Sequence, residues 1–427
     1  MRGNRRLVTL GGPIIAASML VLSAQLGSPQ GGAAAAPAVT PSPCAVTSTP
    51  ASPAPSPSLV ASPSPVVPPS PVASASVVPS PVASTSPTPT PVGPLTWVDT
   101  RPKGFAKGAY AARLTQDAAG MVFAVGYAVD KTGQLRAAGW SSSDGRRWVP
   151  QKLEAPAGSQ ASAVVTTDSG LIAVGSGGGS GLVWTSTDGA SWVSGTLPLA
   201  IFQDVLVTAA GPIVVGDAGA GYGAVPTIWT ATGGDPTAWQ PTPIGERGFA
   251  RRLAVSQDGV LVAAGFELDD NCQTHVRVWR STDGTIWTTV GLEGFPTDGT
   301  LLNALKWTSV GFVMAISENA PGGAAGSIWL SQDGSAWNKT LDVPDGVVST
   351  LSTVGTEVIA FGADRTWRSA DGITWEARPV PVFKGAYIDA ITPLSDGRLL
   401  AAGVRAGGGN THKVAMFAGV PAPSSAP

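Results

Sequence analysis

The chain has 427 residues, with 26 Lys and Arg against 28 Asp and Glu and a formal net charge of −2. That balance, with no basic block beyond the N-terminus, excludes a nucleic-acid footprint. The charge is also unevenly placed, because no Lys, Arg, Asp or Glu occurs between Leu7 and Val98. Whole-chain averages therefore describe two regimes, of which the second, roughly 325 residues long, is ample for a large core.

Residues 1–32 read as an export signal. Arg2, Arg5 and Arg6 form a positive start, and Leu7 to Leu26 follows uncharged and mostly apolar. A clean small-x-small cleavage site is not evident. A stretch of about 20 apolar residues also suffices for an uncleaved membrane anchor with the arginines inside. Cleaved and anchored forms both stay open, and both place the rest of the chain outside the cytoplasm. The Arg5-Arg6 pair also permits a twin-arginine route.

Residues 33–94 read as a disordered linker. The stretch 37–94 holds 18 of the chain's 38 prolines, mixed with Ser, Thr, Ala and Val. Proline fixes φ and removes a backbone donor, so an extended polyproline-biased stalk is expected, with the composition of O-glycosylated stalks. Cys44 lies here and Cys272 in the folded region, and a bond between them is one of two open readings.

Residues 95–420 carry a repeat. Six tryptophan pairs recur: Trp140/Trp148, Trp184/Trp192, Trp229/Trp239, Trp279/Trp287, Trp329/Trp337 and Trp367/Trp375. Five pairs enclose the same turn, Ser-x-Asp-Gly, centred on Asp144, Asp188, Asp283, Asp333 and Asp371. The third copy is degenerate, with Asp235 displaced. The second tryptophan returns every 38–50 residues, the period of a propeller blade. These S-x-D-G-x-x-W motifs resemble the Asp-box, or bacterial neuraminidase, repeat over nearly the whole folded region. The physics of the turn is local. Gly accepts φ > 0, Asp and Ser cap turn N–H groups, and Trp148, Trp192, Trp287, Trp337 and Trp375 are expected to pack between neighbouring sheets.

Each box is preceded by two strands, such as AARLTQ…MVFAVG and RRLAVS…VLVAAG. Seven such copies occur against six boxes, and the seventh ends one strand short. LTWVDT, with Trp97, matches the strand that follows a box. The expected fold is therefore all-β: a seven-bladed β-propeller of four-stranded antiparallel blades, its ring closed by an N-terminal strand near residues 95–99. Residues 421–427 are expected to form a disordered tail.

The boxes are third-to-fourth-strand turns, so a ligand face is expected on the opposite side. Aligning the innermost strands gives one polar row there: Ala112, Ser162, Asp204, Arg251, Asn303, Ser349 and Asp389. All four tyrosines, Tyr110, Tyr127, Tyr222 and Tyr387, fall in loops of this face, and Tyr110 and Tyr387 occupy equivalent places in neighbouring blades. Asp204, Arg251, Asn303, Asp389, Tyr110 and Tyr387 are the candidate ligand contacts, against the simpler reading of a wet channel mouth. His275 with Cys272, and the Asp269-Asp270-Asn271 cluster, are weak as metal sites, so no metal and no cofactor is expected.

Enzymes of the resembled family need an arginine triad, a Tyr–Glu pair and an acidic Asp, after an F/Y-R-I-P segment that is absent here. Arg101, Arg113, Arg136, Arg251, Arg252 and Arg277 are available, but spacing assigns no triad. Asp204 and Asp389 lie three blades apart, wide for a glycosidase carboxylate pair. No G-x-S-x-G, H-E-x-x-H or G-x-x-x-x-G-K occurs. The first expectation is a monomeric, non-catalytic binding propeller, secreted or anchored at the surface, for a glycan or protein ligand. It touches membrane only through the N-terminal segment. A sialidase-like glycoside hydrolase and an assembly or scaffold factor are the alternatives.

Overall fold

The computed structural model describes residues 94–422, apart from 220, 233–234, 272, 296–299, 321–322 and 407–411. The export segment, the linker, the tail after 422 and both cysteines lie outside the described residues. Within them the chain is a seven-bladed β-propeller of four-stranded antiparallel sheets. Blades 1 to 6 span 110–151, 160–198, 200–243, 248–290, 301–343 and 350–379. Blade 7 takes its inner three strands from 386–421 and its outermost from Leu95–Asp99, which pairs residue by residue with Phe417 to Pro421. Strands are lettered A to D from the channel outward.

The strands form where short apolar runs meet Gly-containing turns. Strand B of each blade (FAVG, IAVG, IVVG, VAAG, VMAI, VIAF and LAAG) is buried on both faces, because a neighbouring blade covers each side. The core is accordingly divided into seven wedges, one between each pair of neighbouring blades.

The two tryptophans of each pair divide their work differently from the sequence expectation. The first, on strand C, is the one sunk between blades: Trp184, Trp229 and Trp279 are at most 1% exposed. Phe417 holds the matching place in blade 7. Of the second set, only Trp148 is fully buried, while Trp192, Trp287, Trp337 and Trp375 are half-buried. The reason is position: strand D lies at the rim, where the wedge between blades opens to solvent. Three of these indoles fold back to donate to their own box glycine carbonyl, Trp148 to Gly145 at 3.3 Å, Trp287 to Gly284 at 3.2 Å and Trp337 to Gly334 at 3.2 Å.

The box turns share one hydrogen-bond pattern. In blade 2, Asp188 Oδ1 accepts the N–H groups of Ala190 and Ser191, both at 2.8 Å, and the Ser186 hydroxyl at 3.0 Å. Gly189 N–H donates to Ser186 Oγ at 2.8 Å. Such bonds hold the carboxylates of Asp188 and Asp283 down to about 2, and at Asp333 the Ser335 hydroxyl, with the backbone N–H groups, has the same effect. Each turn thereby satisfies its own backbone donors without help from another blade.

Gly189 combines a left-handed φ of 70° with a neighbour from blade 1: a Cβ there would lie 2.3 Å from the Phe123 ring. Gly189→Ala is expected to lose roughly 1–2 kcal/mol to backbone strain and roughly 1–3 kcal/mol to overpacking, measured by denaturant unfolding. The boxes also set an acid limit. Their carboxyls sit below the unfolded value of about 3.9, so their contribution is complete above about pH 4 and disappears as the pH falls through 2. The difference in melting temperature between wild type and Asp283→Ala should therefore shrink on going from pH 5 to pH 2.

Candidate functional site

Strand A lines the channel in every blade, and a β-bulge near its start shapes the site. The register skips Ala112, Ser162, Gln203, Arg251, Asn303 and Asp389. In blade 6, Ser349 turns its N–H and hydroxyl back to the Phe361 carbonyl at 2.8 and 3.1 Å. Residues before the bulge, such as Ala161, Phe202 and Ala250, pack toward the preceding blade. Residues after it, such as Ala163 and Ala304, pack toward the following one. The bulged residue stands between the two directions. The aligned row thus coincides with the bulges, with one correction: in blade 3 its member is Gln203, not Asp204. Asp204 falls one place later, in register with Arg113 and Arg252.

That slip of one residue brings together groups the sequence left apart. Arg113 Nη2 reaches Asp204 Oδ2 at 3.9 Å across blade 2, and Arg113 also faces Asp389. Arg252 is tied by Nε to the Asn303 carbonyl at 3.1 Å and by Nη1 to the Arg251 carbonyl at 3.1 Å. Burial and the Arg113 charge bring the Arg252 guanidinium down to about 10. Lys306, two places further along strand A of blade 5, is lowered for the same reasons, with Asp204 opposing. The throat of the channel thus holds Arg113, Arg252 and Lys306 around Asp204.

Above the throat, blades 7 and 1 meet in an aromatic cluster. Tyr110 opens strand A of blade 1 (Tyr110–Gln116), Tyr127 lies opposite it on strand B, and Tyr387 occupies the same register in blade 7. These three are strand residues rather than loop residues. Tyr222, the fourth, sits in a short 3-10 turn of blade 3, away from them. The Tyr110 and Tyr127 rings stack with centroids 5.2 Å apart, and the His412 ring meets both edge-on at 6.4 and 6.2 Å. Asp389 lies beneath. It accepts a hydrogen bond from Tyr110, and its Oδ2 is fully shielded and without a partner among the described residues. Burial pushes the Asp389 carboxyl up to about 7, against the pull of Tyr110, Arg113 and Arg252. Burial and the Asp389 charge in turn push Tyr127 up to about 12, and raise Tyr110 and Tyr387.

The remaining candidates serve the frame. Asn303 Nδ2 donates to Ser317 Oγ at 2.6 Å and to the Val348 carbonyl at 2.7 Å, which joins blades 5 and 6. Arg251 Nη1 lies 3.8 Å from Asp217 Oδ2, and Asp217 Oδ1 accepts the Ala250 N–H at 2.8 Å, joining blades 3 and 4. Asp217 is 1% exposed, and burial pushes it up to about 7. Asp269 is occupied by the N–H groups of Asn271 and Gln273 at 2.8 Å and by His275 at 3.3 Å. No cluster of three potential metal ligands occurs among the described residues.

Asp389 has a consequence for pH. Between about pH 4 and 7 the folded chain keeps a proton that the unfolded chain has lost, so stability falls as the pH rises through that window. Asp389→Asn keeps a Tyr110 partner and removes the buried charge. Its melting temperature should gain on wild type from pH 5 to pH 8, by the equivalent of about 2 kcal/mol at the upper end. A difference that stays constant with pH would contradict this account of Asp389.

No family model matches the chain, and no curated protein sequence matches it. Solved structures do, at low identity. The Chaetomium thermophilum protein Sqt1, bound to the N-terminus of a ribosomal protein, is 13% identical with a TM-score of 0.45, covering 69% of this chain and 82% of its own. A gluconolactonase from Xanthomonas campestris is 13% identical with a TM-score of 0.37, covering 78% and 99%. An aldose sugar dehydrogenase from Streptomyces coelicolor is 11% identical with a TM-score of 0.39, covering 60% and 93%.

Proposed function

We propose that the chain is a non-catalytic binding propeller of the Asp-box type, displayed outside the cytoplasm, which takes a glycan or protein ligand at the channel mouth. The observation that carries this reading is the cluster of Tyr110, Tyr127 and Tyr387 above Arg113 and Arg252 on a closed ring. Rigid aromatic faces beside fixed guanidinium groups suit stacking and polar contacts with a ligand. The five box turns support the Asp-box assignment, and the export reading of residues 1–32 supports the location.

The electrostatics speak against a tyrosine nucleophile. Such a group needs a lowered pKa or a base that takes its proton. All three phenols here are raised, and the neighbouring carboxylate is one of the causes. One observation favours the hydrolase reading instead: Asp389, held at about 7, is the kind of carboxyl that serves as a general acid near neutral pH.

A glycan-array screen and a turnover screen with sialidase substrates on the full chain separate these readings. Binding without turnover is expected, weakened at least tenfold in Tyr110→Ala or Tyr387→Ala. Turnover that disappears in Asp389→Asn would replace the binding reading with the hydrolase. A silent screen would move the ligand class from glycan to protein.

A further inference from the structure

Trp307 stands outside the six tryptophan pairs. It lies near the end of strand A of blade 5 (Leu301–Thr308), opposite Phe312 and just before the turn into strand B. Its register counterparts in blades 2, 3 and 6 are Thr166, Val207 and Thr353, so only blade 5 of these four places an aromatic here. The indole is half-buried and meets the Phe312 ring at 64° with centroids 4.7 Å apart, which fixes its orientation.

This tryptophan walls a cavity of about 350 Å³ with Gln257, Thr308, Ser309, Thr353 and Gly355. Gln257, Ser309 and Gly355 belong to the A–B turns of three successive blades, 4, 5 and 6. The cavity therefore lies on the face opposite the tyrosine cluster. None of its lining residues is charged. Two of the polar groups are already engaged, the Thr308 hydroxyl with the Gly311 carbonyl at 2.8 Å and the Ser309 hydroxyl with the Thr356 carbonyl at 2.7 Å. The Gln257 amide and the Thr353 hydroxyl have no hydrogen-bond partner among the described residues.

We propose that this cavity is a second binding site, specific for a neutral sugar ring. A pyranose has one apolar C–H face and a rim of hydroxyls that both donate and accept. Trp307 offers a flat apolar surface to the first. Gln257 and Thr353, each able to donate and accept, serve the second. The uncharged lining disfavours a ligand recognised by phosphate or carboxylate, since nothing there would offset the desolvation of that charge. The volume lies at the small end of ligand pockets, roughly 300–1,000 Å³, which suits one or two sugar rings rather than a protein segment. The site is independent of the tyrosine mouth and of whatever that mouth binds.

The test is calorimetric titration of the full chain with neutral gluco-, galacto- and manno-oligosaccharides. At least one is expected to bind, with affinity reduced tenfold or more in Trp307→Ala and several-fold in Gln257→Ala and Thr353→Val. Trp307 packs on Phe312, so that variant is first checked for folding. If it fails, the Gln257 and Thr353 variants decide, because both change only the cavity rim. Binding that ignores all three substitutions and disappears in Tyr110→Ala would assign neutral sugars to the tyrosine mouth and overturn the second site. Absence of any neutral-sugar binding would overturn it as well, while leaving an acidic or protein ligand at the mouth untouched.

Discussion

The ring depends on one pairing made between the two ends of the folded region. Leu95–Asp99 supplies the outer strand of blade 7, in register with Phe417 to Pro421. Trp97 then closes the wedge against blade 6, edge-on to Phe361 at 5.6 Å and Phe383 at 5.0 Å. Arg405 locks the corner, with Nη1 on Asp99 Oδ2 and Nη2 on the Val382 carbonyl, both at 2.6 Å. Without this strand blade 7 would present an open edge and the wedge between blades 6 and 7 would lose one wall. The aromatic cluster sits at the next junction, between blades 7 and 1, so its geometry is held by a closure made far away in sequence.

How much of this is readable from sequence depends on whether a feature is local. The box turn is complete within seven residues, so Asp188 and Gly189 announce it wherever it occurs. Closure was legible too, because one strand too few at the C-terminus and one too many at the N-terminus are matching signals. The bulge in strand A has no such mark. It inserts one residue without a characteristic side chain, being Ala112 in one blade and Asp389 in another. An alignment that is right in six blades therefore places Asp204 in the wrong row in the seventh. That error hides the throat, since Arg113, Asp204 and Arg252 share a row only when the bulge is counted. Tyr127 was visible as a residue but not as a partner of Tyr110, because their stacking is a cross-strand contact set by the same bulged register.

The carboxylates divide into two populations with opposite pH behaviour. Box aspartates are exposed and wrapped in N–H donors, so they favour the charged form and stabilise the turns above about pH 4. Asp217, buried, and Asp389, partly buried with one carboxylate oxygen shielded, lie at blade junctions and favour the neutral form. Their joint effect places maximal stability on the acid side of neutrality, between the two sets of transitions. Rim and channel thus respond to acid in opposite directions, although both are built from the same residue type. The difference lies in whether a carboxylate is wrapped in backbone donors at the surface or desolvated at a blade junction.

Departures from the repeat are where the ring carries information beyond its own folding. At the place of Arg113 and Arg252 other blades have Ala163, Ala304 and Ala390, and at the place of Lys306 they have Val165, Leu206 and Ala254. Alanine and valine fill those places with no desolvation cost, so the frame itself has no use for a cation there. Burial and the Arg113 charge lower the affinity of Arg252 and of Lys306 for protons, while a single carboxylate, Asp204, stands among them. Such an arrangement costs stability, because the cations are desolvated with one carboxylate to share between them. Trp307 is a departure of the other kind, an aromatic without charge where hydroxyls or valine suffice elsewhere. The cations and the Trp307 indole thus depart from the repeat in opposite chemical senses, one toward charge and the other toward an uncharged aromatic face.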